Sequence, residues 1–128
     1  MKLGYLIVYV PDVPATVAFY ERAFGLACRF RHEDQYAEME TGATALAFAN
    51  EDFVASSGVG FRQNRFADQA AGVEIGLVSD DVAAAFAVAV AAGAAAVVAP
   101  KQKPWGQTVS YVRDCNGVLV EICSAVGG

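Results

Sequence analysis

Residues 4–13 read GYLIVYVPDV, and residues 73–82 read VEIGLVSDDV. Each stretch starts with apolar and β-branched residues that favour a strand and ends in an aspartate followed by valine. Asp12 and Asp81 lie 69 positions apart (81 − 12), and each is a candidate N-cap for the residues that follow. The pair of stretches therefore predicts a duplicated unit in which a strand leads directly into a helix.

The period of the apolar residues changes after each aspartate. After Asp12 and after the Asp80-Asp81 pair, apolar residues recur at the spacing of a helix. The two patterns end at Gly25 and Gly93, and a glycine in this place commonly stops a helix. Short strand-like runs come next, at 27–33, 36–40 and 44–49 in the first half and at 95–99, 107–113 and 118–124 in the second. We therefore predict an α+β fold of two tandem βαβββ modules: module 1 at about 1–50, a connector at 51–72, and module 2 at about 73–126.

Composition limits the kind of protein. A chain of 128 residues with 55% apolar residues is long enough for one domain with a real core. The net charge of −5, with nine Lys and Arg that form no run, argues against binding nucleic acid or an anionic membrane. The three cysteines, Cys28, Cys115 and Cys123, show no metal-site spacing and suit a reducing compartment. No signal peptide is evident, so we expect a cytoplasmic protein.

Two glutamates stand out on the predicted strands. In the last strand, whose register is set by the Asn116-Gly117 turn, Val118, Val120 and Ile122 share one face and leave Glu121 on the other. The same alternation places Val73, Ile75 and Leu77 under a helix, with Glu74 and Gly76 on the opposite face. A carboxylate in such a place needs a metal, a cation, a donor or a shared proton.

The order of the motifs resembles the vicinal oxygen chelate superfamily, which includes glyoxalase I, extradiol dioxygenases and bleomycin-binding proteins. The resemblance covers nearly the whole chain, and it lies in Val10-Pro11-Asp12-Val13, Phe19-Tyr20-Glu21, Phe24-Gly25-Leu26, 74–82, 103–107 and 113–121. It implies two modules whose curved mixed sheets surround a pocket, with helices on the outer faces. It also implies a homodimer.

The same resemblance implies a place for a metal, and here the sequence departs from the family. Metal-dependent members take four His or Glu ligands from the first and last strands of the two modules. The matching places in this chain carry Tyr5, Glu74, Ala47 and Glu121, so half of the ligand set is missing. We therefore expect no metal and no other cofactor, although Glu74 and Glu121 could hold a divalent ion with water and substrate.

The predicted pocket is lined with apolar and aromatic groups around the two carboxylates. Alternation places Ala45, Ala47 and Ala49 on one face, as it does Tyr5, Ile7 and Tyr9. Trp105 lies in a turn between Pro104 and Gly106, where its resemblance to groove residues of bleomycin-binding relatives implies stacking on a flat ligand. The expected partner is a small organic ligand that is cationic or aromatic, and the expected ligand-binding residues are Tyr5, Tyr9, Ala47, Glu74, Trp105, Tyr111 and Glu121.

Three functions remain open from the sequence. The favoured one is a small-molecule-binding protein of the bleomycin-resistance, sequestering type, with antibiotic resistance as its role and no obligatory catalytic metal. The alternative is a glyoxalase-like lyase or dioxygenase-like enzyme, with Glu74 and Glu121 as catalytic residues holding a divalent metal. The third is a scaffold with a vestigial pocket, in which Tyr5 satisfies a carboxylate. The connector, where Phe53, Phe61 and Phe66 interleave with arginines, is a lid, a dimer contact or a plain link.

Overall fold

A computed structural model describes residues 1–127 as two compact units, Met1–Asn64 and a second unit that starts at Arg65. We call them module 1 and module 2. Module 1 contains β1 (Tyr5–Val10), α1 (Val13–Phe24), β2 (Cys28–His32), β3 (Tyr36–Met39), β4 (Ala45–Asn50) and α2 (Glu51–Ser56). Module 2 contains β5 (Glu74–Val78), α3 (Val82–Ala91), β6 (Ala95–Gln102), β7 (Thr108–Arg113) and β8 (Leu119–Cys123).

Each module has one four-stranded mixed sheet. The strand orders are β1-β4-β3-β2 and β5-β8-β7-β6, so the first and last strands of each module pair in parallel and the other pairs are antiparallel. The two orders are equivalent position by position. The predicted α+β class and the tandem βαβββ layout are confirmed.

Both main helices start where the sequence predicts. The side chain of Asp12 accepts from the backbone N–H of Ala15, and that of Asp81 accepts from Ala84, which satisfies a free donor of the first helical turn in each case. The first helix ends at Gly25, whose φ of 69° is the left-handed conformation that glycine adopts without strain. These caps fix the length of each helix and hence which of its residues face the sheet.

The helix of each module covers one face of its sheet. In module 1 the ring of Tyr20 from α1 packs 4.7 Å from the ring of Phe48 on β4, and both side chains are fully buried. In module 2, α3 packs on β6, β7 and β8, and the same alternation buries Ile75, Val120 and Ile122. The opposite face of each sheet carries the candidate site residues.

The structure corrects the sequence prediction at Val73 and adds a helix that the sequence analysis did not predict. Val73 precedes β5 and is 55% exposed, so it does not pack under a helix as its parity predicted. The connector also contains the short helix α2, which begins after Asn50, whose side chain accepts from the N–H groups of Asp52 and Phe53. Within residues 1–127, no helix has the length and apolar character needed to cross a membrane.

Candidate functional site

Glu121 lies at the centre of the uncovered face of module 2. It is on β8, an inner strand of the sheet, where it pairs with Gly76 on β5 and with Tyr111 on β7. Paired residues of adjacent strands point to the same face, so the three form one row across the sheet. In this row the carboxylate of Glu121 lies between Tyr111 and Gly76, which has no side chain.

The two oxygens of the Glu121 carboxylate have different surroundings. The Tyr111 hydroxyl donates to Oε1 over 3.0 Å. A Cβ atom added at Gly76 would lie 3.9 Å from Oε2, so the glycine leaves open the space beside this oxygen. Oε1 is therefore engaged, and Oε2 faces a vacant position on the sheet.

Glu74 adds a second acidic group to this face. It lies two residues before Gly76 on β5, which makes it a diagonal neighbour of Glu121. Although Glu74 is exposed, partial burial of the carboxyl and then the negative charge of Glu121 raise its pKa above the ordinary value. No Lys, Arg or His among residues 1–127 forms an ion pair with either glutamate. Neither acid is therefore neutralised by an ion pair, and the nearest arginine of this face, Arg113, donates to backbone carbonyls instead.

The neighbours of Glu121 are protonated donors at neutral pH. The hydrogen bond to Glu121 and then burial raise the pKa of Tyr111 to about 12. Burial and then Glu121 raise the pKa of the Cys123 thiol to about 11. The neutral tyrosine holds the carboxylate in place through Oε1 without cancelling its charge, while the Cys123 thiol donates to the backbone carbonyl of Leu77 over 3.8 Å.

A shallow cavity of about 330 Å³, widely open to solvent, lies beside Glu74. It is lined by Glu74, Leu119 and the two residues that precede β5, Gly72 and Val73. Leu119 pairs with Glu74 and lies on the same face as Glu121, so the cavity is continuous in the sheet with the acidic pair. Its lining combines one acid with apolar side chains, as small-molecule sites commonly do.

Trp105 is held on the surface of module 2. Its side chain is 61% exposed, and its indole N–H donates to Oε1 of Gln107 over 2.8 Å. The amide of Gln107 in turn donates over 2.9 Å to the backbone carbonyl of Ser124, directly after β8. The ring is thus anchored by its polar edge, while its faces remain open for stacking.

The predicted site residues of module 1 lie on the uncovered face of its own sheet. Tyr5 is 54% exposed, and the ring of Tyr9 meets that of Phe61 edge-on at 4.8 Å. Ala47 is fully buried in the row between Ile7 and Glu38. The structure places all three on one face, and their ligand contacts stay predictions.

Sequence reasoning missed a cluster on the same face of module 1. Glu38 on β3 accepts from the Tyr36 hydroxyl over 2.8 Å and from Nε of Arg29 over 3.1 Å. Burial and the bond to Glu38 raise the pKa of Tyr36. The signal was present as alternating Tyr36 and Glu38 with an arginine on the preceding strand, but it needed the β2–β3 register to be seen.

The donor set does not fit a transition metal. Among residues 1–127, no three or more His, Cys, Asp or Glu side chains converge as a metal-binding group. The acidic pair of module 2 supplies two carboxylates and no imidazole or thiolate ligand of low pKa, whereas zinc and iron sites draw on such ligands. The two carboxylates are instead hard oxygen ligands, which suit an organic cation or a hydrated hard cation.

Comparison with solved structures finds the same fold in several bacteria. A glyoxalase-related enzyme from Fulvimarina pelagi is 20% identical with a TM-score of 0.83, and the alignment covers 98% of this chain and 88% of the other. A glyoxalase/bleomycin resistance protein/dioxygenase family enzyme from Burkholderia phytofirmans PsJN is also 20% identical, with a TM-score of 0.81 and coverage of 97% and 98%. A glyoxalase/bleomycin resistance protein/dioxygenase from Nocardioides is 21% identical, with a TM-score of 0.76 and coverage of 100% and 85%.

At these identities the likeness to solved structures shows the fold alone. A search of curated proteins finds no match. The sequence profile of the Glyoxalase/Bleomycin resistance protein/Dioxygenase superfamily, in contrast, matches residues 2–122, which is nearly the whole chain. The two βαβββ modules, the acidic last strand of module 2 and this match agree, and the chain belongs to the Glyoxalase/Bleomycin resistance protein/Dioxygenase superfamily.

Proposed function

We propose that this protein binds a small organic cation at the acidic face of module 2, as a sequestering protein of the bleomycin-resistance type without an obligatory catalytic metal. One observation carries the proposal. The carboxylate of Glu121 is fixed through Oε1 by Tyr111, while Oε2 faces the gap at Gly76 and no cation of residues 1–127 pairs with it.

The electrostatics of the face favour a cationic ligand. Partial burial, and after it the negative charge of Glu121, raises the pKa of Glu74, so the two acids repel each other without an ion pair to either. A ligand ammonium group placed between them would relieve the repulsion and supply the missing charge. The same two carboxylates would repel an anionic ligand.

The surroundings of the acids suit the body of an organic molecule. The 330 Å³ cavity beside Glu74 offers Leu119 and Val73 as apolar surface. Trp105 lies at the other end of β7 and β8, because Gln107 bonds to Ser124 whereas the cavity adjoins Leu119, so its stacking on the ligand stays a prediction. We therefore place an amine or amidine with a small apolar body among the best candidates.

The enzyme alternative rests on the same two carboxylates. Glu74 and Glu121 are hard oxygen ligands of the kind that Mg²⁺ and Ca²⁺ accept when water completes the shell. Elemental analysis of unchelated protein decides between the two functions. Substoichiometric metal agrees with the binding function, whereas one tightly held ion per chain that is lost in Glu121→Gln would establish the metal-dependent alternative.

The binding function is tested with probes of one shape and different charge. Benzylammonium, benzyl alcohol and benzoate are compared by thermal shift, and the cation alone should stabilise the protein. At 100 times its dissociation constant it should add about 2.7 kcal/mol to the free energy of unfolding. Glu121→Gln should remove the response, and Glu38→Gln is the matched control that should keep it, because Glu38 is paired with Arg29.

Two results would contradict the proposal. An equal response to benzoate and benzylammonium would show that the carboxylates do not select the ligand. A wild-type protein that responds to neither these probes nor a wider set of amines and amidines would support the vestigial scaffold.

A further inference from the structure

The guanidinium of Arg113 binds the first residues of module 2, which precede β5. Three main-chain carbonyls accept from it: Phe66 from Nη1 over 3.2 Å, and Arg65 and Asp68 from Nη2 over 3.4 and 2.6 Å. The guanidinium carbon also lies 5.0 Å from the centre of the Phe66 ring, within the range of a cation–π contact. We call residues 65–68 the strap.

Arg113 is itself fixed by the turn between β7 and β8. Its Nε donates to the carbonyl of Gly117 over 2.9 Å, so four backbone acceptors surround one guanidinium. A Cβ at position 117 would lie 2.5 Å from Nη2 of Arg113 and 2.8 Å from the carbonyl oxygen of Arg65. With a φ of 86°, this position requires glycine for both conformation and space.

The strap is tied to the row of the sheet that carries Glu74. Arg113 pairs with Leu119, and Leu119 pairs with Glu74, so the three residues form one row on the uncovered face. Adjacent strands lie about 4.8 Å apart, which places the anchored arginine about 10 Å from Glu74 along this row. The strap therefore reaches the same face as the proposed ligand site.

The anchored strap limits the position of the cavity wall. Only three residues separate Asp68 from Gly72, and a chain spans at most about 3.5 Å per residue. Gly72 and Val73 line the cavity beside Glu74, and Val73 is further held by a hydrogen bond of 2.8 Å from its N–H to the carbonyl of Ala71. Holding one end of this segment restricts the other.

We propose that Arg113 is a positioning residue for the ligand site: it fixes the strap so that Gly72 and Val73 form a preformed wall of the cavity beside Glu74. This inference rests on the proposed binding function. It assigns residues 65–73 as a fixed wall and not as a mobile lid. A preformed wall lowers the cost of ordering the site when the ligand binds.

The test compares hydrogen exchange and probe affinity in the full chain. Arg113→Lys keeps the charge but cannot present the planar fork of donors that reaches four carbonyls. We expect exchange of the Asp68 and Val73 amides, which donate to the carbonyls of Arg65 and Ala71, to accelerate at least tenfold in this variant and the affinity for benzylammonium to fall at least threefold. Gly117→Ala, which displaces the same guanidinium from the other side, should give both effects.

Val17→Ala is the control for a loss of stability alone. Val17 is buried in the core of module 1, so this variant should lower the unfolding temperature but leave exchange at 65–73 and probe affinity unchanged. Wild-type exchange of the Asp68 and Val73 amides as fast as in an unfolded chain would overturn the inference, as would unchanged affinity in Arg113→Lys.

The failure of the proposed function is distinguishable from the failure of this inference. If wild-type protein does not bind benzylammonium or related amines, the binding function is wrong and the positioning role with it. If the wild type binds and Glu121→Gln does not, but Arg113→Lys binds as the wild type does, only the positioning role is wrong.

Discussion

The two modules have the same strand order, and each carries a hydrogen bond from a tyrosine to a glutamate on its uncovered face. In module 1, Tyr36 donates to Glu38 on β3; in module 2, Tyr111 donates to Glu121 on β8. The modules differ in whether this glutamate is paired with a cation. Arg29 pairs with Glu38, whereas Glu121 has a second acid nearby and no cation from residues 1–127. Equivalent folds thus produce a balanced polar cluster in one module and an unbalanced one in the other.

The difference follows from which residues occupy one row of each sheet. Ala47 and Glu121 are equivalent positions, since Ile7 pairs with Ala47 as Gly76 pairs with Glu121. In module 1 the acid is Glu38, which lies on the neighbouring strand β3 within reach of Arg29 on β2. In module 2 the acid is Glu121, which lies next to Gly76. Because the glycine has no side chain, open space lies beside Oε2 in place of a cationic partner. The duplicated fold fixes the positions, and the residue types determine whether a position is satisfied internally or by a ligand.

Giving Glu121 a cation of its own should have the largest effect. Gly76→Lys places an ammonium group next to Oε2 of Glu121, as Arg29 does for Glu38. We expect benzylammonium affinity to fall at least 100-fold, about 2.7 kcal/mol, because the internal cation occupies the site. Titration calorimetry measures the loss, and Gly76→Met controls for the bulk of the side chain. Undiminished binding in Gly76→Lys would place the ligand elsewhere.

Removing the cation of module 1 should cost stability. Arg29→Gln leaves Glu38 with the Tyr36 hydroxyl alone, and we expect a loss of about 1 kcal/mol in the free energy of unfolding, measured with urea. Arg31→Gln on the same strand is the matched control and should change stability by less than about 0.5 kcal/mol. Equal effects of the two variants would show that Glu38 does not need its arginine.

Removing either tyrosine hydroxyl tests the feature that the modules share. Tyr36→Phe and Tyr111→Phe should each lower the free energy of unfolding by about 1 kcal/mol, because a partly buried carboxylate loses a donor. Only Tyr111→Phe should also weaken benzylammonium binding, since it frees the orientation of Glu121. Loss of binding in both variants would contradict the assignment of the site to module 2.

The pH dependence of Glu74 should give the smallest effect. The folded-state pKa of Glu74 is raised, so the folded protein holds its proton more tightly than the unfolded chain. The extra stability from the protonated group is therefore fully present at pH values below the ordinary pKa of a glutamate. It is lost as the pH rises from that ordinary pKa through the raised pKa of Glu74 in the folded protein. Glu74→Gln should remove this fall and slightly raise the unfolding temperature at pH 7. A lower unfolding temperature at pH 7 would contradict the repulsion from Glu121.

Local patterns were enough to predict the fold and the two acids. Asp12, Asp81 and the Asn116-Gly117 turn act through neighbouring residues, so the sequence alone shows helix starts and the register of β8. Alternation along β8 then placed Glu121 opposite the core. These predictions needed no knowledge of distant contacts.

The missed features all depend on contacts between segments far apart in sequence. Glu38 gains its meaning from Arg29 across the β2–β3 pair, and the strap exists only because Arg113 meets residues about 45 positions earlier. Val73 followed the parity of its strand, but β5 begins one residue later. Periodicity predicts the face of the sheet on which a residue lies. It does not predict which side chains or backbone groups from distant segments contact that residue. The homodimer and the cytoplasmic location stay predictions.

The most direct test is a titration of benzylammonium into wild-type protein that has been stripped of metal with a chelator and dialysed. We predict saturable binding of one ligand per chain in the absence of metal, with at least tenfold weaker binding in Glu121→Gln. Binding that appears only after a divalent ion is restored, or that is equally strong in Glu121→Gln, would contradict a metal-free cation site in module 2.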